Sequence, residues 1–286
     1  MSNRNSPVWV LMSPSALWLG VFFVAPLLLM AAYSLRPDMR GGLFALGWQP
    51  TLKQYQAVIE QGSYLWLLGI SVGMAFMVAL VATTLSYPLA YFLTFRVKAS
   101  APILLTVLIL PFWTSYLLRI IAWKIILGSN GLINNLLVSS GLLHEPLALL
   151  LYSRQMVVVT LVYVWLPFVA LPITAGLQRI DKSLLEAAAI LGAAPWESFL
   201  RITLPLSLPG VIAGFFMVFI PTVGEYVTPL LVGGSAGSMY GNIIETFFGD
   251  GLNWPLGSAL AFIMLIGVLA LVGAVSRLVD LRRFVG

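Results

Sequence analysis

Six long apolar stretches, separated by polar breaks, run the length of this chain. They cover 14–35, 64–95, 102–127, 155–177, 206–231 and 255–279. A spanning helix needs about 20 predominantly apolar residues, and each stretch meets that length. Within each one the apolar positions are continuous and do not alternate every second residue. That pattern predicts helices, because a transmembrane strand shows the two-residue alternation over about ten residues. The fold expected is therefore an all-α membrane protein with six transmembrane helices.

The first stretch follows Arg4 and so imitates a secretory signal. Its apolar run from Val8 to Tyr33 is too long for a usual signal core and has no clear cleavage site, so it reads as a retained helix. Pro88, Pro111, Pro167, Pro172 and Pro221 fall inside the stretches, where each removes a backbone donor and bends or interrupts its helix. Gly69 with Gly73, and Gly210 with Gly214, are spaced one helical turn apart. Such pairs predict close backbone approach, either within the bundle or at a dimer interface.

Composition agrees with the pattern and removes several function classes. Sixty per cent of residues are hydrophobic, 9% are charged and the mean hydropathy is +0.99, whereas soluble domains carry about 25% charged residues. Six spans and their loops use up the 286 residues, and the chain reads as one transmembrane domain across 1–286. With no cysteine there is no disulfide framework, thiolate metal site or cysteine nucleophile. The single histidine, His144, makes no metal cluster alone. The net charge of +5 comes from Lys and Arg scattered between apolar stretches, which form no basic face for nucleic acid. A membrane enzyme would need a clustered acid, base or metal set, and the scattered carboxylates argue against one.

Charge placement predicts orientation. With the N-terminus inside, Arg4, Arg96, Lys98, Arg179, Lys182, Arg201, Arg277, Arg282 and Arg283 are cytoplasmic, nine of the fifteen Lys and Arg. Arg36, Arg40, Lys53, Arg119, Lys124 and Arg154 fall on the outer side, Arg119 and Lys124 within the end of the third span. The excess places both termini in the cytoplasm. Two outer loops carry structure of their own. Gly128 to Gly131 punctuates the third span and leads to a short interfacial helix at 132–139, and Gly233 to Gly237 forms a flexible turn leading to 243–248.

The fourth break, between 177 and 206, is the polar signature of the chain. Glu186 to Pro205 reads EAAAILGAAPWESFLRITLP, and its ionised side chains exclude it from hydrocarbon. A first helix is predicted over 184–191, with Glu186 near the start where the helix dipole favours an anion. Gly192 closes it in a left-handed cap, and Pro195 begins a second helix ending near Ile202. Leu204-Pro205 then ends the loop and restarts a span. Ala187 and Ala188 allow close approach of a partner, and Ile190, Leu191 and Phe199 offer apolar anchors.

The spacing of Glu186-Ala187-Ala188, Gly192, Ile202 and Leu204-Pro205 resembles the cytoplasmic loop by which permease subunits of bacterial ATP-binding-cassette importers grip their ATPase. The likeness extends through Leu110-Pro111-Phe112-Trp113-Thr114-Ser115 with Arg119, Asn130 to Asn134, Leu166-Pro167-Phe168, Phe219 to Tyr226, Gly233-Gly234 and the approach from Asp250 to Pro255. These segments look like the spermidine/putrescine-type permeases. The resemblance implies a type I importer permease in the inner membrane that moves a small solute, a polyamine first of all. It also implies two cytosolic ATPase subunits that bind ATP and Mg, a second permease and a periplasmic binding protein, with lipid around the bundle. The permease itself would hold no cofactor, and no G-x-x-x-x-G-K-[ST] motif occurs. Related permeases serve other amines, amino-acid conjugates, phosphonates or ferric ions, so the cargo stays open at this level. A self-contained channel or carrier has no need of the loop.

For the substrate path, Glu225 is the leading candidate. It sits about 27 Å beyond a helix start near Ser207, in the outer part of the bilayer. An intramembrane carboxylate has the sign a cationic cargo needs, and the alternative is a structural ion pair with Arg119 or Lys124. Asp250 and Glu245 in an outer loop attract cations, form a solvated rim or dock the binding protein. Trp113, Tyr116, Tyr226 and Trp254 are placed for cation–π contact or for the interfacial aromatic belt.

Overall fold

The computed structural model describes residues 8–38, 48–97, 101–147 and 152–278. Arg4, Arg40, Lys98, Arg282 and Arg283 of the charge count lie outside them. Thirteen α-helices occur among the described residues: α1 Val8–Leu19, α2 Ala25–Ser34, α3 Lys53–Glu60, α4 Ser63–Phe95, α5 Ala101–Ile109, α6 Tyr116–Leu127, α7 Leu132–Ser139, α8 Arg154–Gln178, α9 Lys182–Ile190, α10 Pro195–Ser198, α11 Leu204–Val223, α12 Tyr240–Phe248 and α13 Trp254–Leu278. Among the described residues six apolar helical stretches are long enough to cross a membrane: Met12–Ser34, Ser63–Phe95, Tyr116–Ser139, Arg154–Gln178, Pro195–Val223 and Trp254–Arg277. The all-α class and the six spans expected from the pattern are what is found.

Three boundaries differ for local physical reasons. The third stretch is not one helix. Leu110–Trp113 tightens into a 3-10 turn around Pro111, Thr114 and Ser115 are extended, and α6 starts afresh at Tyr116. The Thr114 hydroxyl donates to the Pro111 carbonyl at 2.6 Å, so the break satisfies part of its own backbone. The spanning stretch then begins at Tyr116, and Pro102–Trp113 is a shorter apolar helix. The fifth stretch stops early, because α11 ends at Val223 and Gly224 turns the chain.

The third difference is at Leu204-Pro205, which does not restart a helix. Phe199–Thr203 forms a wider π turn with Leu204 N–H donating to the Phe199 carbonyl, and the backbone runs helically from Pro195 into α11. The wider turn absorbs the donor that Pro205 lacks and moves its ring away from the carbonyl it would strike in an ordinary α-turn.

The chain divides into two compact units. The first comprises 1–65 with 243–266. In it the Tyr55 hydroxyl donates to Ser34 Oγ at 2.8 Å, and Gln54 Nε2 donates to the carbonyls of Arg36 and Pro37, which fastens α3 to the end of α2. Trp254 packs edge-on against Tyr33 and Phe248, at centroid distances of 6.0 and 5.6 Å.

The second unit comprises 66–242 with 267–286, and its centre is the pairing of α8 with α11. Lipid is as apolar as leucine, so helices in a membrane associate through close packing and not through the hydrophobic effect. Gly210 supplies that closeness. A Cβ there would stand 2.5 Å from the Pro172 carbonyl and 3.3 Å from the Gly176 Cα, and one at Gly214 would stand 3.2 Å from the Val169 carbonyl. The Gly210/Gly214 spacing is therefore used within the chain, while Gly69 and Gly73 face open space. Helix α4 is tied to the pair by Ser86 Oγ donating to the Leu166 carbonyl at 3.0 Å and by a 2.9 Å bond between the Tyr87 and Ser207 hydroxyls.

The turn at Gly233–Gly237, expected to be flexible, is pinned. Tyr152 N–H donates to the Val232 carbonyl at 2.7 Å, Arg154 Nε to the Ala236 carbonyl at 2.7 Å, and Gly237 N–H to the Gly233 carbonyl at 2.9 Å. A Cβ on Gly237 would meet the Gly233 Cα, which is why the glycines there serve close approach and not mobility. The helix after it starts at Tyr240, earlier than 243, because the Ser71 hydroxyl accepts from Tyr240 N–H at 2.7 Å.

Candidate functional site

Residues 181–205 fold into a helix, turn, helix knob. Asp181 is the N-cap of α9 and accepts from Ser183 N–H at 2.9 Å. The helix therefore starts two residues earlier than expected. Glu186 sits in its middle, and Asp181 is the anion at the positive end. The Asp-x-Ser pattern at 181–183 was the available sequence signal for this cap. The hydrogen bonds from Ser183 hold the Asp181 carboxyl below its ordinary range. A depressed folded value means the cap is complete above the ordinary carboxylate pKa of about 3.9 and is lost as pH falls through the lower, folded one. Amide exchange at Ser183 and Leu184 is expected to rise several-fold in Asp181→Ala at neutral pH. Asp181→Asn, which keeps the acceptor, should stay near wild type.

The turn is a Schellman motif. Gly192 has φ +83°, its N–H donates to the Ala189 carbonyl, and Ala193 N–H donates to the Ala188 carbonyl, both at 3.0 Å. Glu197 Oε2 reaches back to accept from Ala194 N–H at 3.1 Å, the glutamate half of a capping box. At the tip Ile190 and Leu191 are each 86% exposed, and Glu186 and Ala187 are also exposed. Phe199 does not join this outward surface. It is half-buried against Tyr87 and Tyr91 of α4, with centroids at 5.8 and 6.0 Å, and so anchors the knob to the bundle. A cleft of about 590 Å³, lined by Pro172, Gly176, Arg179, Asp181, Leu184 and Pro209 among others, lies beside the knob between α8 and α11. Ile202, Leu204 and Pro205 belong to the continuous helix below it.

The other end of α11 carries the second constellation. Glu225 stands just past the helix end and not within it. Its Oε1 accepts from Val227 N–H at 2.9 Å and Thr228 N–H at 3.1 Å, capping the helical turn that continues through Pro229–Gly233. Tyr116 shares a 2.9 Å hydrogen bond with the hydroxyl of Thr228, whose N–H donates to Glu225, and its ring centre stands 5.9 Å from the Arg119 guanidinium carbon.

Arg119, only 9% exposed, does not pair with Glu225. Its guanidinium carbon stands 5.1 Å from the Phe112 ring centre and 5.9 Å from that of Tyr116, and its Nε has no hydrogen-bond partner. Among the described residues no Lys or Arg forms an ion pair with Glu225, Lys124 included. The structural role of this carboxylate is a cap, not the ion pair considered from the sequence.

The turn is held from behind by Gly241 and Asn242, which carry no sequence signal of that role. A Cβ on Gly241 would stand 2.5 Å from the Gly224 carbonyl oxygen and 2.7 Å from that of Glu225. Asn242 Nδ2 donates to the Tyr226 carbonyl at 2.8 Å. Tyr226 is exposed, and Trp113 is 83% exposed. The structure thus gathers Tyr116, Arg119, Glu225 and Tyr226 in the second unit. Asp250 and Trp254 belong to the first unit, where Asp250 is exposed in the turn after α12 and Trp254 is committed to its aromatic cluster. Among the described residues no group of three or more Asp, Glu or His is placed to hold a metal.

Residues 7–284 match the family described as binding-protein-dependent transport system inner membrane component. The spermidine/putrescine transport system permease protein PotB of Escherichia coli (strain K12) is 36% identical over 216 residues, 76% of this chain and 78% of its own. The protein of the same name from Haemophilus influenzae is 34% identical over 244 residues, 85% of this chain and 84% of its own. Among solved structures, a chain of the bacterial alginate ABC transporter in complex with alginate pentasaccharide-bound periplasmic protein superposes with TM-score 0.69. It has 17% identity, covering 98% of this chain and 95% of that one, a likeness of fold.

Proposed function

The chain belongs to the family of inner membrane components of binding-protein-dependent transport systems, and we propose that within such an importer it forms the path for a polyamine and receives the thrust of ATP hydrolysis on the 181–205 knob. As a member of a transport family it is a permease and not an enzyme. One observation carries this reading: the continuous helical stretch Pro195–Val223, which starts in the knob and ends at the Gly224–Glu225 turn. At 1.5 Å per residue it spans about 43 Å. A push on a rigid rod at one end is delivered at the other, which is what a remote ATP site needs in order to open and close a path.

Of two cytosolic ATPase subunits carrying ATP and Mg, one docks on this knob, with Ile190 and Leu191 as apolar anchors beside Glu186, Ala187 and Ala188, while Gly192 shapes the turn that presents them. A second permease completes the path and a periplasmic protein delivers the solute. The relatives named for spermidine and putrescine support a polyamine cargo, and Glu225 beside Tyr116 and Tyr226 supports a path for cations. The excess of Lys and Arg on the knob side supports both termini in the cytoplasm.

The test is reconstitution of the whole importer in proteoliposomes with labelled spermidine. Uptake is expected only with ATP inside the ATPase compartment and binding protein on the opposite face. Reporter fusions at either terminus or near Lys182 should report cytoplasm, and one near Gly141 periplasm. Absence of spermidine and putrescine uptake would overturn the cargo, and a periplasmic C-terminus would overturn the orientation.

A further inference from the structure

Arg119 is the odd group in the second constellation. It is a buried cation in a spanning stretch, its Nε has no partner, and the tyrosine whose ring it faces is bonded to Thr228, the residue whose N–H donates to the Glu225 carboxylate. A guanidinium meeting a carboxylate away from bulk water gains more than one resting on a ring face. The pair should therefore form unless something holds the arginine elsewhere. Phe112 and Tyr116 are what hold it, with their ring centres 5.1 and 5.9 Å from its guanidinium carbon. The extended Thr114–Ser115 break lets Phe112, from the 3-10 turn before it, and Tyr116, from the first turn of α6, both present rings to Arg119. Phe112 is itself fixed edge-on against Phe168 of α8, with centroids 4.3 Å apart, and Tyr116 is fixed by its bond to Thr228.

We propose that the Phe112–Tyr116 pair is a clamp that withholds Arg119 from Glu225 and so keeps that carboxylate open to the ammonium group of the substrate. Arg119 is the internal competitor of the cargo, and Phe112 is a positioning residue acting through it. This rests on the reading of Glu225 as part of a polyamine path, so the test has one arm that needs no substrate.

In that arm the thermal midpoint of the purified importer is measured for Arg119→Gln, Glu225→Gln and their combination, each with Phe112 or with Phe112→Ala. With Phe112 present the two shifts should add. In the Phe112→Ala background, where Arg119 is free to reach Glu225, they should become coupled by about 2–4 °C or more. In the second arm, spermidine uptake at limiting substrate should fall at least tenfold in Phe112→Ala with normal recovery of the complex. It should return to at least a third of wild type in Phe112→Ala/Arg119→Gln. Additive shifts in both backgrounds would overturn the clamp. So would a double variant no better than Phe112→Ala alone. Coupled shifts without any polyamine uptake by the wild-type importer would keep the clamp and remove the cargo.

Discussion

Replacing Gly192 with proline is expected to leave the importer in the membrane but unable to couple ATP hydrolysis to uptake. Proline fixes φ near −65°, whereas this turn needs +83°. It also removes the N–H that donates to the Ala189 carbonyl. The Schellman turn cannot form, so α9 and α10 lose the angle at which Ile190, Leu191 and Ala187 face outward together. The defect stays local, because the region around the Gly192 position is open and a side chain there strikes nothing.

The same openness gives a graded series. Alanine pays only the left-handed backbone cost, about 1–2 kcal/mol, and should retain part of the coupling. Asparagine tolerates that conformation better and should retain more. The measurement is ATPase activity stimulated by loaded binding protein, beside the yield of intact complex. Full coupling in Gly192→Pro would remove the knob from the ATPase interface.

What was legible in the sequence followed from solvent and period. Apolar runs about one bilayer long specify six helices whatever their partners, and the left-handed role of Gly192 was readable because a short alanine-rich helix must end there. The interruption expected at Pro111 is found, but its continuation into an extended link was not readable. Leu110 to Leu127 carries no polarity change strong enough to mark the Thr114–Ser115 break, which depends on Pro111 and a side-chain bond of Thr114. At Leu204-Pro205 the π turn hides a proline that would ordinarily mark a helix boundary.

The second constellation was half legible for a different reason. Glu225 stood out as a charge in an apolar stretch, and so did Arg119, but opposite charges near span ends suggest a pair. In the structure Arg119 rests against the rings of Phe112 and Tyr116, and Glu225 accepts from Val227 and Thr228 N–H. Gly241 and Asn242 gave no signal at all, since their role is contact with Gly224, Glu225 and Tyr226 some sixteen residues back in the chain. Long-range backbone approach leaves no periodic trace.

Glu225→Gln and Glu225→Ala together should separate a charge in the path from a cap. Glutamine keeps an Oε1 that can accept from Val227 and Thr228 N–H, so the turn through Gly233 should survive and the complex should be recovered in normal yield. What it loses is the charge. A carboxylate about 4 Å from an ammonium group contributes about 1 kcal/mol in full solvent and about 4 at the effective dielectric of a protein surface. Glu225 is half-buried, so at limiting spermidine, uptake should fall by at least about fivefold, with the Michaelis constant rising more than the maximal rate falls. Alanine loses the charge and also the cap, worth about 0.5–2 kcal/mol. It should therefore match glutamine in transport per complex but fall below it in thermal midpoint and yield. Glutamine transporting like wild type while alanine loses yield would make Glu225 a cap alone, and the cationic path would have to run elsewhere.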